Sequence, residues 1–318
     1  MDPVSSNRVE HLKPLVAIVG PTGVGKTEFA LDLAERLDGE IVSADSRLFY
    51  RGMDIGTAKP SLAEQQRVPH HLIDVADPDQ IWSLALFQQR ARQAIAEIHA
   101  RGRLPFLVGG TGQYLRAVAQ GWEVPRVEPH PRLRQVLEDW SGQIGFDGLH
   151  ARLAVLDPQA AAAIDPHNIR RTVRAMEVIL TTGEPFSKQR QRGASAYSLL
   201  TLGLFRPRPE LYARIDARIE AMLDTGLVEE VRGLLAQGYS PELSTLSAIG
   251  YREILDYLHG RASLAEAIAL IKRHTRIFVR RQANWFKLDD PEIHWFQAAP
   301  GVTEKMANLI QEFLTTLN

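Results

Sequence analysis

The sequence predicts an α/β fold: a parallel sheet core, a helical insertion within it, and a helical C-terminal part. Three observations carry this. Short apolar runs bounded by glycine or polar residues have the length of buried parallel strands. Segments with apolar residues at helical spacing alternate with these runs as far as Gly121, the order that builds a parallel sheet. Beyond Gly121 the pattern becomes almost wholly helical.

Leu15 to Val19 is the first strand, entirely apolar and followed by Gly20. Thr27 to Leu37 then carries apolar residues at helical spacing. Glu40 to Ala44 is a second strand and Leu104 to Val108 a third, the latter running into Gly109-Gly110. Between them Ser83 to Ala100 reads as an amphipathic helix. Trp122 to Pro131 contains three prolines and breaks the pattern. Leu133 to Trp140, Leu149 to Val155 and Asn168 to Thr181 are expected as helices. Ser198 to Phe205 is apolar and short, and reads as a strand returning to the sheet. The expected division is therefore a core of residues 1–124 and 199–318, with 125–198 as the insertion. Helices are expected again at Leu211 to Leu223, Leu227 to Ala236, Ile249 to Leu258 and Leu264 to Trp285. No internal repeat or low-complexity segment occurs.

The chain has 318 residues, 45% of them hydrophobic, enough for one large domain or two ordinary ones. Its formal net charge of −1 argues against generic polyanion binding but leaves local basic patches open. The absence of cysteine excludes disulfides, thiolate metal sites and a cysteine nucleophile, and fits a reducing cytoplasm. The first 14 residues are polar and mixed, and no apolar run has the length of a membrane span. A soluble, cytoplasmic protein without membrane contact is expected.

Gly20, Pro21, Thr22, Gly23, Val24, Gly25, Lys26 and Thr27 read G-x-x-x-x-G-K-[ST], directly between a strand and a helix. That is the context a P-loop requires. Its backbone N–H groups wrap a phosphate, the helix N-terminus adds a favourable dipole, Lys26 supplies a point charge, and the Thr27 hydroxyl suits Mg²⁺. P-loop ATPases and GTPases normally add a carboxylate after a later strand. Here that strand runs into Gly-Gly-Thr111, and the carboxylate instead follows the second strand, at Asp45. Asp45 could hold Mg²⁺ through water, accept a proton from a nucleophile, or merely cap its turn.

These residues bring the chain close to one family. It resembles the tRNA dimethylallyltransferases, or tRNA isopentenyltransferases, of bacterial type. The likeness rests on Gly20 to Thr27, Ile41-Val-Ser-Ala-Asp-Ser46, Tyr50 to Pro60 and Pro69 to Asp74. It continues through Val108-Gly-Gly-Thr-Gly112, Asn168 to Ala175, Ile249-Gly-Tyr-Arg252 and Arg280 to Phe286. These segments follow the family's order over nearly the whole chain. The Met53 to Pro60 stretch is far more diagnostic than the P-loop.

The resemblance implies a P-loop NTPase-like core with a helical insertion that contacts tRNA. It implies transfer of a five-carbon group from dimethylallyl diphosphate to the exocyclic amine of the adenosine 3′-adjacent to the anticodon. In that scheme the P-loop residues hold diphosphate, and Thr27 holds the Mg²⁺ cofactor. Asp45 accepts the amine proton, Arg214 is a second diphosphate-binding arginine, and Thr111 lies near the reacting nucleotide. The tRNA anticodon arm would meet Asp45, Ser46, Arg47, Leu48, Thr111, Arg134, Arg170, Arg171, Arg174, Arg252, Arg280, Arg281, Gln282 and Trp285. The sequence departs from the family's usual residues at Gln113 and Asn284. A eukaryotic-type zinc finger is ruled out by the lack of cysteine.

Independent of the resemblance, Lys272 to Lys287 carries six Lys/Arg and no acid, with aromatics interleaved. Arg170, Arg171 and Arg174 form a second basic cluster, and Lys188, Arg190 and Arg192 a third. Three clusters in a chain of net charge −1 mean segregated charge and point to a polyanion footprint. His70-His71 could suggest a metal pair. Neighbours on an extended segment face opposite ways, however, so a structural role is expected. Three rival functions stand beside tRNA prenyl transfer: a small-molecule kinase, a transferase acting on free adenine nucleotides, and an RNA-binding switch. The first lacks a recognisable arginine lid, the second needs neither insertion nor basic helix, and the third needs no base beside the phosphate. A monomer is expected.

Overall fold

The structure, a computed structural model, describes residues 12–122, 124–125, 127–189 and 195–317. Residues 1–11, with most of the polar N-terminal stretch, and Arg190 and Arg192 of the third basic cluster lie outside the described residues. The chain forms two compact units. One comprises 1–81, 90–115 and 196–318, the other 82–89 and 116–195, against the 125–198 read from the sequence.

The first unit opens with β1 (Lys13–Val19), α1 (Lys26–Arg36) and β2 (Gly39–Ser43), and then α2 (Leu62–Arg67) and β3 (His70–His71). Next come α3 (Leu84–Ala100), β4 (Leu104–Gly109) and α4 (Gly112–Ala119). The helical stretch supplies α5 (Pro131–Leu156), α6 (Pro158–Ala163) and α7 (Ile169–Thr182). Then β5 (Tyr197–Phe205) returns to the sheet, followed by α8 (Arg208–Asp224), α9 (Leu227–Ala236), α10 (Tyr251–Leu258) and α11 (Leu264–Gln282). The chain ends with β6 (Ile293–Gln297) and α12 (Val302–Thr315).

Six strands form one sheet in the order β3-β2-β4-β1-β5-β6, every pair parallel. The apolar runs are what a sheet covered on both faces demands: all five residues of β2 and the last five of β1 are buried. The chain goes to one side of β1 for β2 through β4 and to the other for β5 and β6. That reversal opens a crevice at the carboxyl end of β1, where parallel sheets bind ligands. The loops after β1, β2 and β4 converge there. They carry the P-loop, Asp45 and Thr111 respectively.

In the second unit, the expected pair of helices at 133–140 and 149–155 forms the single element α5, kinked at Gly145, whose φ is 77°. Leu137, Leu153, Val173 and Met176 pack the core between α5 and α7. Glu177 is fully buried within this unit. Its carboxylate accepts two bonds of 2.9 Å from Arg134, one from Arg174 and one of 2.7 Å from the His130 N–H. Burial opposes its charge, yet these donors hold the carboxyl below the usual range. Arg174 also donates to Val127 O at 2.9 Å. Arg134 and Arg174, expected to face RNA, are thus engaged as internal braces of this unit. Arg170 and Arg171 on α7 are exposed and make no ion pair among the described residues.

Candidate active site

The P-loop is shaped from three sides. Gly23 has φ +80°, and a Cβ there would lie 2.8 Å from Ile215 of α8, so the position needs glycine twice over. Arg206 donates to Val24 O at 3.0 Å and Arg214 to Gly23 O at 3.3 Å. The Thr22 N–H donates at 2.9 Å to Gln282 Oε1, and Gln282 Nε2 donates at 3.1 Å to Gly110 O. One side-chain amide therefore ties the P-loop to the loop after β4. A Cβ on Gly110 would fall 2.2 Å from that amide nitrogen, which is why a glycine stands there. Gln282, expected to touch RNA, is 5% exposed and serves the site by holding its loops together.

Lys26 donates to Gly20 O and Pro21 O at 3.0 and 2.9 Å. Burial pushes its ammonium down to about 8, with Asp45 opposing the shift and Arg218 adding to it. Asp45 follows β2 and accepts from the Arg47 N–H at 3.0 Å. Arg47 in turn donates to Thr245 O at 3.2 Å. Arg218 lies one turn beyond Arg214 on α8. Burial lowers the pKa of its guanidinium and Asp45 opposes this. A carboxylate thus stands beside two cations that burial makes eager for a counter-charge.

Two cavities meet at this group. One, of about 870 Å³, is lined by Gly25, Lys26, Thr27, Lys59 and Arg214. The other, of about 330 Å³, has an apolar wall that includes Ile215, Ile219, Leu227, Ile249 and Phe278, and reaches Thr111. Thr22, Asp45, Thr57, Arg218 and Met222 border both. Ser46 and Arg47 line the apolar cavity, and Leu48 the larger one. At the outer end of α11, Arg280 and Arg281 are exposed, and Trp285 packs over Gly112. Arg252 is exposed beside Glu253 at 3.6 Å. Lys272 and Arg276 of the basic helix pair with Glu220 and Asp216 of α8, while Arg273, Arg280 and Arg281 are exposed and make no ion pair among the described residues.

Two features of this site were not read from the sequence. Arg218 is one; its signal was its spacing four residues after Arg214, which puts both on one face of α8. Glu230 of α9 is the other. Its carboxylate accepts from three successive N–H groups, Asp54 at 2.9 Å, Ile55 at 2.7 Å and Gly56 at 3.1 Å, and from the Tyr251 hydroxyl at 2.6 Å. The diagnostic Met53 to Pro60 loop is thus wrapped around an internal anion. Lys59, its side chain 4% exposed, holds the other end through Tyr50 O at 2.8 Å and the carboxylates of Asp54 and Asp74. Removing the acceptor in Glu230→Ala is expected to destabilise the protein by about 2–4 kcal/mol, because several donors lose a charged partner at once. The same change should raise KM for a phosphate substrate, since this loop lines both cavities. Thermal melts and steady-state kinetics check both; an unchanged melt would mean the loop holds its own shape.

The parallel order and the phosphate-wrapping loop at the crevice define an α/β protein with a P-loop-like core. The family model described as IPP transferase matches residues 48–289. The tRNA dimethylallyltransferase of Roseiflexus sp. (strain RS-1) is 57% identical over 274 residues, 86% of this chain and 90% of that protein. That of Thermomicrobium roseum is 49% identical over 303 residues, 95% and 92% of the two. Among solved structures, the full-length tRNA isopentenylpyrophosphate transferase of Bacillus halodurans is 42% identical, with a TM-score of 0.71 over 96% of this chain and 98% of that one. A eukaryotic dimethylallyltransferase acting on tRNA superposes with a TM-score of 0.82 at 26% identity, over 96% and 80%. The chain belongs to the IPP transferase family, and it is an enzyme, a transferase.

Proposed function

We propose that this enzyme transfers a dimethylallyl group from dimethylallyl diphosphate to the exocyclic amine of the tRNA adenosine on the 3′ side of the anticodon, releasing diphosphate. The observation that carries this reading is the position of Asp45 and Arg218 on the border shared by a cavity lined by the P-loop and basic side chains and an apolar one. A prenyl diphosphate has that same division, an anion at one end and a hydrocarbon at the other. The relatives' names, which specify tRNA, support the acceptor.

The P-loop N–H groups and Lys26 receive the diphosphate, and Arg214 closes its outer side. As the allylic C–O bond breaks, negative charge grows on the leaving oxygen, and Lys26 and Arg218 are fixed beside it without reorganisation. The amine nitrogen forms the new bond to carbon and gives its proton to the Asp45 carboxylate. An exocyclic adenine amine is a weak nucleophile, so a base in place during attack matters. The base must leave its stack to reach this border; Thr111, Ser46 and Arg47 line its approach. Arg252, Arg280, Arg281 and Trp285 supply phosphate contact and stacking for the anticodon arm; Arg170 and Arg171, exposed on their own unit, are further tRNA contacts of that unit.

The residues fit a Mg²⁺ cofactor. Thr27 and Asp45 border one cavity, and no group of three His, Cys, Asp or Glu side chains among the described residues gathers to hold a metal. A cation here would take most of its shell from diphosphate oxygens and water, as magnesium commonly does. Bound there, it would neutralise charge on the leaving diphosphate. No helix among the described residues is long and apolar enough to cross a membrane. We place the enzyme in the cytoplasm as a monomer.

The test incubates the protein with Mg²⁺, labelled dimethylallyl diphosphate and unmodified tRNA, with AMP as a competing acceptor. Label is expected in tRNA and not in AMP. Label in AMP would move the acceptor to free nucleotides, and ATP turnover without label transfer would make the enzyme a kinase.

A further inference from the structure

Behind the P-loop lies a third cavity, of about 60 Å³, bordered by Lys26, Thr27, Ser43, Asp45 and His70. It is too small for a prenyl chain or a base but has room for a few waters. The His70 ring borders it with a fixed tautomer. Its Nδ1 lies 2.7 Å from Val68 O. A carbonyl can only accept, so Nδ1 carries the hydrogen, and Nε2 of the neutral ring presents a lone pair. Nε2 is buried and has no hydrogen-bond partner among the described residues. A buried acceptor left unsatisfied costs about 1–3 kcal/mol, so a donor belongs in this chamber. Burial also disfavours the charged ring, partly offset by the bond to Val68. The neighbouring His71 faces the other way and bonds Glu40 at 2.6 Å, so it does not border the chamber.

We propose that this chamber holds part of the water shell of a divalent cation bound at Thr27, and that His70 Nε2 accepts a hydrogen bond from one of those waters. His70 is then a positioning residue for the cation rather than a ligand. The inference rests on the Mg²⁺–diphosphate reading above. Three facts favour it over an ordinary buried water. First, β4 ends in glycines and offers no carboxylate to orient the cation's waters, so that task falls to groups from β2 and β3. Second, a hydroxyl suited to the cation, a carboxylate and an obligate acceptor border the same small space. Third, a water polarised by a cation is a stronger donor than bulk water, and magnesium keeps its waters.

Asparagine and glutamine separate the two ends of the ring. Asparagine can reproduce the Nδ1 bond to Val68 while leaving the chamber without an acceptor; glutamine extends a carbonyl to the Nε2 position. The experiment titrates Mn²⁺ into wild type, His70→Asn and His70→Gln in the presence of inorganic pyrophosphate, reading free Mn²⁺ by electron paramagnetic resonance. Thermal melts confirm folding of each variant. Mn²⁺ affinity is expected to fall about tenfold in His70→Asn, the scale on which outer-shell partners act, and to stay near wild type in His70→Gln. Equal Mn²⁺ affinities in all three folded proteins would overturn the proposal and leave His70 with an ordinary structural water. A wild type that binds pyrophosphate but no Mn²⁺ would overturn the cation reading itself, and the proposal with it.

Discussion

Asp45→Asn is expected to lower kcat for prenyl transfer by about 10²–10⁴-fold, the range for loss of a positioned general base. Asparagine keeps the shape of the side chain and can still accept from the Arg47 N–H, so the turn after β2 should survive. What it cannot do is take a proton. It also removes the counter-charge beside Lys26 and Arg218, so diphosphate binding should hold or tighten while chemistry fails. Single-turnover transfer to tRNA and binding of inorganic pyrophosphate, measured on one preparation, separate the two effects. A variant that retains full single-turnover rate would sink the assignment of Asp45 as base and leave it as a turn cap.

Arg218→Met is expected to cost about 10²–10³-fold in kcat, the scale of losing one preorganised charge beside a developing anion. Arg214→Met should cost less and fall mainly on KM. The difference comes from environment. Arg214 is exposed and bonds Gly23 O on the rim of the loop, where water screens its charge. Arg218 is half-buried on the border of the two cavities, facing Asp45 and reaching toward Thr57 O at 3.5 Å. A fixed charge in a drier site acts more strongly on the transition state than on the bound substrate. Parallel kcat and KM measurements on both variants decide it. If Arg214→Met proves the more damaging in kcat, Arg214 rather than Arg218 takes the leaving-group role.

Much of the core was legible because its signals are local. Leu15 to Val19 and Leu104 to Leu107 are buried on both faces, so they read as unbroken apolar runs, and each recurs within a strand extended by a residue or two. The return strand at Ser198 to Phe205 showed itself the same way. By contrast β6, Ile293 to Gln297, is a half-exposed edge strand whose composition mixes His, Trp and Gln; only its pairing with β5 makes it a strand. The two residues of β3 are too few for any periodicity, and pairing with β2 alone defines them. Helix α11 stops at Gln282 rather than Trp285, three residues short of its helical pattern, with its last side chain turned to the P-loop.

By itself the sequence determined the phosphate-wrapping loop, the carboxylate after the second strand and the resemblance to a tRNA-modifying family. The first two are contiguous patterns whose geometry is set within a turn or two of chain, and the third is a series of such short motifs in order along the chain. The tertiary structure alone decided which polar groups those elements would meet. Gln282 reaches Thr22 across 260 positions of sequence, Glu230 reaches Asp54 across 176, and Arg134 is drawn to Glu177 across 43. A side chain's type fixes what it can donate or accept, but a buried charge takes whichever partner packing brings within 3 Å, because leaving it unpaired costs more than any preference along the chain.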